Sequence, residues 1–283
     1  MNAQVRITEF TDPACPWAWS AEPARRRLGW LYGDEIEWKT RMVVLAETPE
    51  EEAEKGMTPE KLQRSARTIA SDHGMPIDTT IRPHVTATVD ACRTVIATRL
   101  NAPEHERQVL RCLRVGYFSG GMLDDRHTLD EAVRTAGLDP NEVSGWVSEE
   151  ATEEALREDM AKAREPMPAA EALDHKLANW SGGQRYTCPS YEIERLDDGV
   201  RISVPGFQPF ATYDVVLANL MPRLNRRDDP SDVADVLEWA GTPLASQEVA
   251  TVMDIDAREA RERLGRVAEE RHVGADGFWK LRG

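Results

Sequence analysis

The chain has 283 residues, 41% of them hydrophobic and 30% charged. That composition supplies a globular core without staples, so its four cysteines are not a disulfide framework, and none of them stands at zinc-ligand spacing. A net charge of −15 disfavours nucleic acid as the main partner, and no apolar run reaches the roughly 18 to 20 residues that cross a bilayer. The opening residues MNAQVRITEF carry neither the basic start nor the apolar stretch of a signal peptide, so the expectation is a cytoplasmic protein with reduced thiols.

Gln4 to Phe10 alternates, with Val5 and Ile7 on one side, and predicts a strand. Pro16 to about Tyr32 predicts a helix with proline at its first position, Trp19, Ala24, Leu28 and Leu31 on one face and a kink at Pro23. A second strand is expected at Ile36 to Leu45. Residues 47 to about 180 then read as a helical block, broken at Pro76, Pro83, Pro103, Gly120-Gly121, Pro140 and Pro166-Pro168, with helix starts at Thr58-Pro59 and Asp139-Pro140. Extended structure returns at Arg185 to Arg195 and Val200 to Val204, joined by an Asp197-Asp198-Gly199 turn. A helix follows from Pro209 to Leu220. The polar stretch 222–231 is the best linker, which divides the chain into 1–221 and 232–283. Val233 to Ala240, Ser246 to Met253 and Ala257 to Glu270 read as helices, and Val273 to Leu281 as a hairpin around Ala275-Asp276-Gly277. That order resembles a winged-helix domain.

Chemistry points first to Cys15. In Thr11-Asp12-Pro13-Ala14-Cys15-Pro16-Trp17-Ala18-Trp19 it stands at a strand-to-helix junction, where unpaired backbone N–H groups and the helix dipole favour thiolate over thiol. Asp12 opposes that if it lies close. Trp17 is expected to wall the site and Trp19 to pack inside. Cys92 and Cys112 sit in apolar helical patterns and read as core residues. None of the six histidines has a partner at ligand spacing; His84 is the one that could reach the cleft. No metal is expected.

The string Asp12-Pro13-Ala14-Cys15-Pro16-Trp17-Ala18-Trp19 resembles the Asp-Pro-x-Cys-Pro-Trp-Cys-Trp signature of the DsbA-like branch of the thioredoxin superfamily, close to FrnE-like proteins and 2-hydroxychromene-2-carboxylate isomerases. Pro23 matches a kink in that fold's active-site helix. Thr187-Cys188-Pro189-Ser190-Tyr191 matches its cis-proline loop, and Gly206-Phe207-Gln208-Pro209-Phe210 the start of its last helix. The resemblance covers about residues 4 to 221. It implies an α/β thioredoxin fold with a large helical insertion, followed here by the small winged-helix-like unit. It further implies a binding site for substrate or thiol made by Asp12, Pro16, Trp17, Ala18, Pro189 in cis and Gln208, to which His84 is added from its place at the start of the helical block.

Ala18 stands where the redox members of that family carry a second cysteine, so Cys15 cannot close a disulfide within its own motif. The implied chemistry is monothiol exchange or thiol-dependent isomerisation, with a low-molecular-weight thiol such as glutathione or mycothiol as cofactor and a small molecule or mixed disulfide as substrate. The resemblance also sets Cys188 beside Cys15, either as a relocated resolving thiol or as a small hydrophobe lining a pocket. Two other classes stay open: a redox-inert binding protein, and a redox-sensing regulator working through the C-terminal unit. Against the last, Arg258, Arg261, Arg263 and Arg266 share their helix with Asp256, Glu259, Glu262, Glu269 and Glu270, which leaves no one-sign face for phosphates and suits a structural or subunit-contact role, with a homo-oligomer possible in principle.

Overall fold

The computed structural model describes residues 3–180 and 183–282, with no side chain described at position 180; the outermost residues of the spans 1–221 and 232–283 lie outside it. The chain opens with β1 (Val5–Thr11), α1 (Pro16–Ser20), α2 (Glu22–Tyr32) and β2 (Ile36–Met42). Next come α3 (Pro49–Glu54), α4 (Pro59–His73), α5 (Val89–Asn101), α6 (Glu106–Phe118), α7 (Arg126–Thr135), α8 (Pro140–Val147), α9 (Glu150–Ala163) and α10 (Pro168–Glu171). The second half holds β3 (Leu177–Trp180), β4 (Gly183–Tyr186), β5 (Ser190–Arg195), β6 (Arg201–Val204) and α11 (Phe210–Leu220). The chain ends with α12 (Val233–Ala240), β7 (Leu244–Ala245), α13 (Ser246–Met253), α14 (Ala257–Val267), β8 (Ala268–Val273) and β9 (Asp276–Leu281).

The main sheet has the order β2-β1-β5-β6. β1 runs parallel to β2, pairing Ile7 with Trp38, and antiparallel to β5, pairing Ile7 with Ile193. This is a mixed α/β thioredoxin-like fold with a helical insertion between β2 and β5 and further helices and strands at the C-terminus. Side chains alternate along β1, so Val5 and Ile7 are buried with Leu28 and Leu31 of α2 and Leu217 of α11, while Phe10 faces a second apolar cluster with Cys15, Ala18, Tyr186 and Cys188.

The expected helix from Pro16 to Tyr32 is two helices that meet at Ala21. Pro23 offers no N–H, and its ring would press on the carbonyl four residues back, so the break falls ahead of the proline. The strand expected to reach Leu45 ends at Met42, because Val44 takes a left-handed φ of 58°. The block from 47 is helical with two departures. Residues 74–88, punctuated by Pro76 and Pro83, form neither helix nor strand, and Leu177–Trp180 is a strand of a two-stranded sheet with β4. The extended stretch from Arg185 is cut at 187–189, between β4 and β5. The helix expected to run to Glu270 stops at Val267, and the final turn is Gly274-Ala275, with Val273 paired to Asp276 and Gly274 at φ 61°. A glycine there meets the positive φ that a tight hairpin requires.

The C-terminal elements build on the rest of the molecule. Val249 and Val252 of α13 share a core with Leu28 of α2, and Phe278 of β9 joins Trp19 and Leu110 in the core of the insertion. The polar stretch 222–231 is held against α2: Arg227 N–H donates to Leu31 O at 2.7 Å, and Trp30 Nε1 donates to Asp228 O at 2.8 Å.

Candidate active site

Cys15 is the N-cap residue of α1 and is 4% exposed. Pro16 takes the first helical position without an N–H, so the first free donors above the sulfur are the amides of Trp17 and Ala18. Since α1 has five residues, the long-helix dipole expected from the sequence is reduced to these local amides. Across the gap, Cys188 is 3% exposed and its peptide bond to Pro189 is cis. As a thiol, Cys15 donates to the carbonyl oxygen of Cys188 at 3.2 Å; as a thiolate, it accepts from the Cys188 thiol.

Burial pushes the Cys15 pKa up, but the Cys188 thiol and the N–H groups of Ala18 and Trp17 outweigh this and leave it below the ordinary thiol value. The Asp12 charge acts in the opposite direction. Burial, and the hydrogen bond given to the Cys15 sulfur, raise Cys188 well above the ordinary value. The two thiols are therefore unlike: Cys15 gives up its proton more readily than an ordinary thiol, and Cys188 holds its own. All four cysteines are free. Burial also raises Cys92 strongly, together with the Asp12 charge, and raises Cys112 to about 11. Both lie in the core of the insertion.

Asp12 lies beneath Cys15, wholly buried. Its Oδ1 accepts the Ala14 N–H at 2.8 Å, and its Oδ2 accepts the Leu45 N–H at 2.9 Å and the Thr88 hydroxyl at 2.8 Å. The left-handed turn at Val44 precedes the amide that reaches it. Burial raises the Asp12 pKa despite these donors. Ala18 is buried in the cluster that holds both thiols, whereas Trp17 is 42% exposed and packs edge-on against His73 and beside Phe207, with ring centroids 5.3 and 5.6 Å away. Trp17 thus stands at the rim, partly in solvent. Trp19 is fully buried, stacked on Phe118, with Nε1 bonded to Pro76 O at 3.0 Å.

Gln208 lines a groove of 460 Å³ with Ser20, Pro23, His73 and Phe207. His84 Nε2 lies 2.8 Å from Asp124 Oδ2. On the insertion side of Cys15 a smaller slot of 60 Å³ is lined by Ala14, Pro16, Ala66, Asp78, Arg82 and Tyr117, among others. His73, Asp78, Arg82 and Tyr117 carry no motif. His73 ends a helix, and Asp78 and Arg82 belong to the irregular segment 74–88, where periodicity has no signal. Among the described residues no group of three or more His, Cys, Asp or Glu could hold a metal ion.

A strand-to-helix cysteine facing a cysteine–cis-proline loop on a β2-β1-β5-β6 sheet defines a thioredoxin-type thiol site. The model of the DSBA-like thioredoxin domain matches residues 6–167, more than half of the chain, and the protein belongs to that family. The ClpXP adapter protein SpxH of Halalkalibacterium halodurans is 24% identical over 268 residues, spanning 92% of this chain and 81% of that protein. A candidate protein disulfide isomerase from Nitrosomonas europaea superposes with a TM-score of 0.58 at 14% identity, covering 78% of this chain and 98% of that one. The cytosolic disulfide reductase DsbM from Pseudomonas aeruginosa, solved with GSH, gives 0.53 at 17% identity, covering 77% and 98%. At these identities the two structures establish a shared fold.

Proposed function

We propose that the protein is a cytoplasmic thiol exchanger that works through one nucleophile, Cys15, and resolves through Cys188. The observation that carries this reading is the pair itself: two free, buried cysteines that face each other, the Cys15 Sγ 3.2 Å from the Cys188 carbonyl oxygen, with one thiol pKa lowered and the other raised. The Cys15 thiolate attacks one sulfur of a small disulfide, forming a mixed disulfide and releasing a thiolate that takes a proton from water. Cys188 then loses its proton and attacks the Cys15 sulfur, closing a Cys15–Cys188 disulfide and releasing the second small thiol. This half-reaction oxidises two protein thiols to one disulfide and reduces one small disulfide to two small thiols. Ala18 occupies the place of a resolving cysteine within the motif, and Cys188 takes that role from the opposite loop. Asp12, Pro16, Trp17, Pro189 and Gln208 frame the site.

That the similar DsbM structure was solved with GSH supports a low-molecular-weight thiol as partner. The test is intact mass spectrometry after exposure to glutathione disulfide. A single glutathione adduct should persist in Cys188→Ser and be absent in Cys15→Ser; an adduct unaffected by loss of Cys15 would contradict the assignment.

A second reading is a redox-inert binding protein of the thioredoxin fold, for which the partly exposed Trp17 beside His73 and Phe207 gives a surface and the ClpXP adapter named above gives a precedent. Under it, the protein accelerates degradation of a substrate by ClpXP equally well with Cys15→Ser. The regulator reading, with 232–283 as a winged-helix unit, is weakened by the ion pairs of Arg261 with Glu270 and Asp276 and of Arg263 with Glu259.

A further inference from the structure

The slot beside Cys15 carries two opposite charges, Arg82 and Asp78, that make no direct ion pair within 4.0 Å among the described residues, although the hydrogen bonds from Thr80 and the nearby Arg82 charge hold the Asp78 carboxyl below its ordinary range. Arg82 Nη1 and Nη2 each donate at 2.6 Å to a backbone oxygen, of Gly121 and Tyr117, and its guanidinium lies 4.2 Å from the centre of the Tyr117 ring. Among the described residues it makes no ion pair within 4.0 Å. Asp78 Oδ1 accepts the Thr80 N–H at 2.8 Å and the Thr80 hydroxyl, while no bond to Oδ2 is made among the described residues. Gly120, with φ 110°, leaves room for that oxygen, because a Cβ there would come within 2.8 Å of it. The remaining walls are largely apolar: Ala14, Pro16, Leu62, Ala66, Ile77 and Phe118.

Arg82 and Asp78 attract each other across the mouth without closing into a direct pair, and the Asp78 carboxylate keeps access to solvent. Here both are held by the backbone or a neighbouring hydroxyl. The arrangement suits a ligand that carries the complementary pair of charges on adjacent atoms, and the slot begins at the residues flanking the nucleophile.

We propose that this slot binds the α-amino acid head of a small disulfide, Arg82 taking its carboxylate and Asp78 its ammonium group, so that the attached sulfur is delivered to Cys15. This rests on the thiol-exchange reading and deepens it by naming the substrate class as a zwitterionic amino-acid disulfide. In the first step the Cys15 thiolate attacks one sulfur of cystine, the Cys15–S–S–cysteine bond forms, the cystine S–S bond breaks, and one cysteine leaves as thiolate and is protonated by water.

The test uses the full chain carrying Cys188→Ser, which retains the adduct, and compares cystine with cystamine, which lacks the carboxylates, and 3,3′-dithiodipropionate, which lacks the ammonium groups. Each rate is divided by the rate of 2-mercaptoethanol with the same disulfide. Cystine should exceed both by about tenfold, the size of one charge-assisted hydrogen bond. Arg82→Gln should close the gap to cystamine, and Asp78→Asn the gap to dithiodipropionate. Glutathione disulfide, whose amino acid head lies several bonds from the sulfur, should fall below cystine; a faster rate would assign the slot to the wrong part of the ligand and overturn the proposal. Equal normalised rates, or gaps that survive both substitutions, would also overturn it. If no disulfide reacts, the exchange reading fails, and the slot is judged by binding alone. S-Methylcysteine should then shift the amide signals of Ala14, Asp78 and Thr80 in Cys15→Ser and lose that effect with Arg82→Gln; no shift would overturn the proposal.

Discussion

At the scale of single residues, Cys15 is tuned by near neighbours more than by a helix. Five residues of α1 supply two amides, and the Cys188 thiol supplies a third donor. The rate of alkylation by iodoacetamide should rise with pH through a midpoint below that of an ordinary thiol. Because the native pKa is depressed, the thiolate adds stability that is complete above the unfolded-state pKa and is lost as pH falls through the native one. Asp12→Asn separates two effects. Losing the negative charge should move the alkylation midpoint lower still. Setting an amide NH₂ against the Leu45 N–H and the Thr88 hydroxyl should cost about 1–3 kcal/mol of stability in urea unfolding. An unchanged midpoint would show that the Asp12 charge does not reach the sulfur. These positions were legible in the sequence because they lie in one continuous string. Cys188 was legible only through its loop motif, 173 residues away, and its contact with Cys15 is made by the fold.

At the scale of elements, the expectations that held were those with strong periodicity or a cap. Thr58 and Asp139 cap their helices, accepting from the N–H groups of Lys61 and Asn141. Boundaries moved where backbone conformation outranks side-chain pattern, as at Val44 and Gly274. Gly274 also ties the last hairpin to the slot segment, since a Cβ on it would lie 2.2 Å from the Ile77 carbonyl oxygen. Gly274→Ala should therefore destabilise the protein by about 2 kcal/mol or more, combining a positive-φ penalty with a backbone clash. Thermal unfolding checks this, and a melting temperature equal to wild type would mean that the hairpin and residues 77–78 are not in contact. His84 illustrates the opposite limit. Its ring meets Asp124, 40 residues away, and nothing local encodes that partner.

At the scale of the whole molecule, a buried ionic network joins parts far apart in sequence. Glu9 of β1 shares a face with Val5 and Ile7 and meets Arg25 and Arg114 at 3.2 and 3.3 Å. Glu22 of α2 binds Arg107 and Arg114 of α6, and Arg111 of the same helix binds Glu248 of α13 at 2.6 Å. These carboxylates and Arg111 and Arg114 are almost wholly buried. The sheet, the insertion and the C-terminal elements are thus locked by charges that each need the others, because removing one partner leaves a buried charge uncompensated. Arg114→Met should lower stability by about 3 kcal/mol or more and loosen α6 from β1, measured by urea unfolding and by amide exchange in both elements. A change below 1 kcal/mol would show the network to be dispensable. None of this was legible in the sequence: an arginine in a helical repeat reads as a solvated face until the fold buries it.

The central claim is that Cys15 and Cys188 form one redox unit. Its direct measurement is a peptide map of the protein after oxidation by excess small disulfide and trapping of remaining thiols with iodoacetamide. The account predicts a Cys15–Cys188 linked peptide pair, with Cys92 and Cys112 recovered unlinked. Recovery of Cys15 and Cys188 as separate alkylated or singly capped peptides, with no link between them, would contradict it.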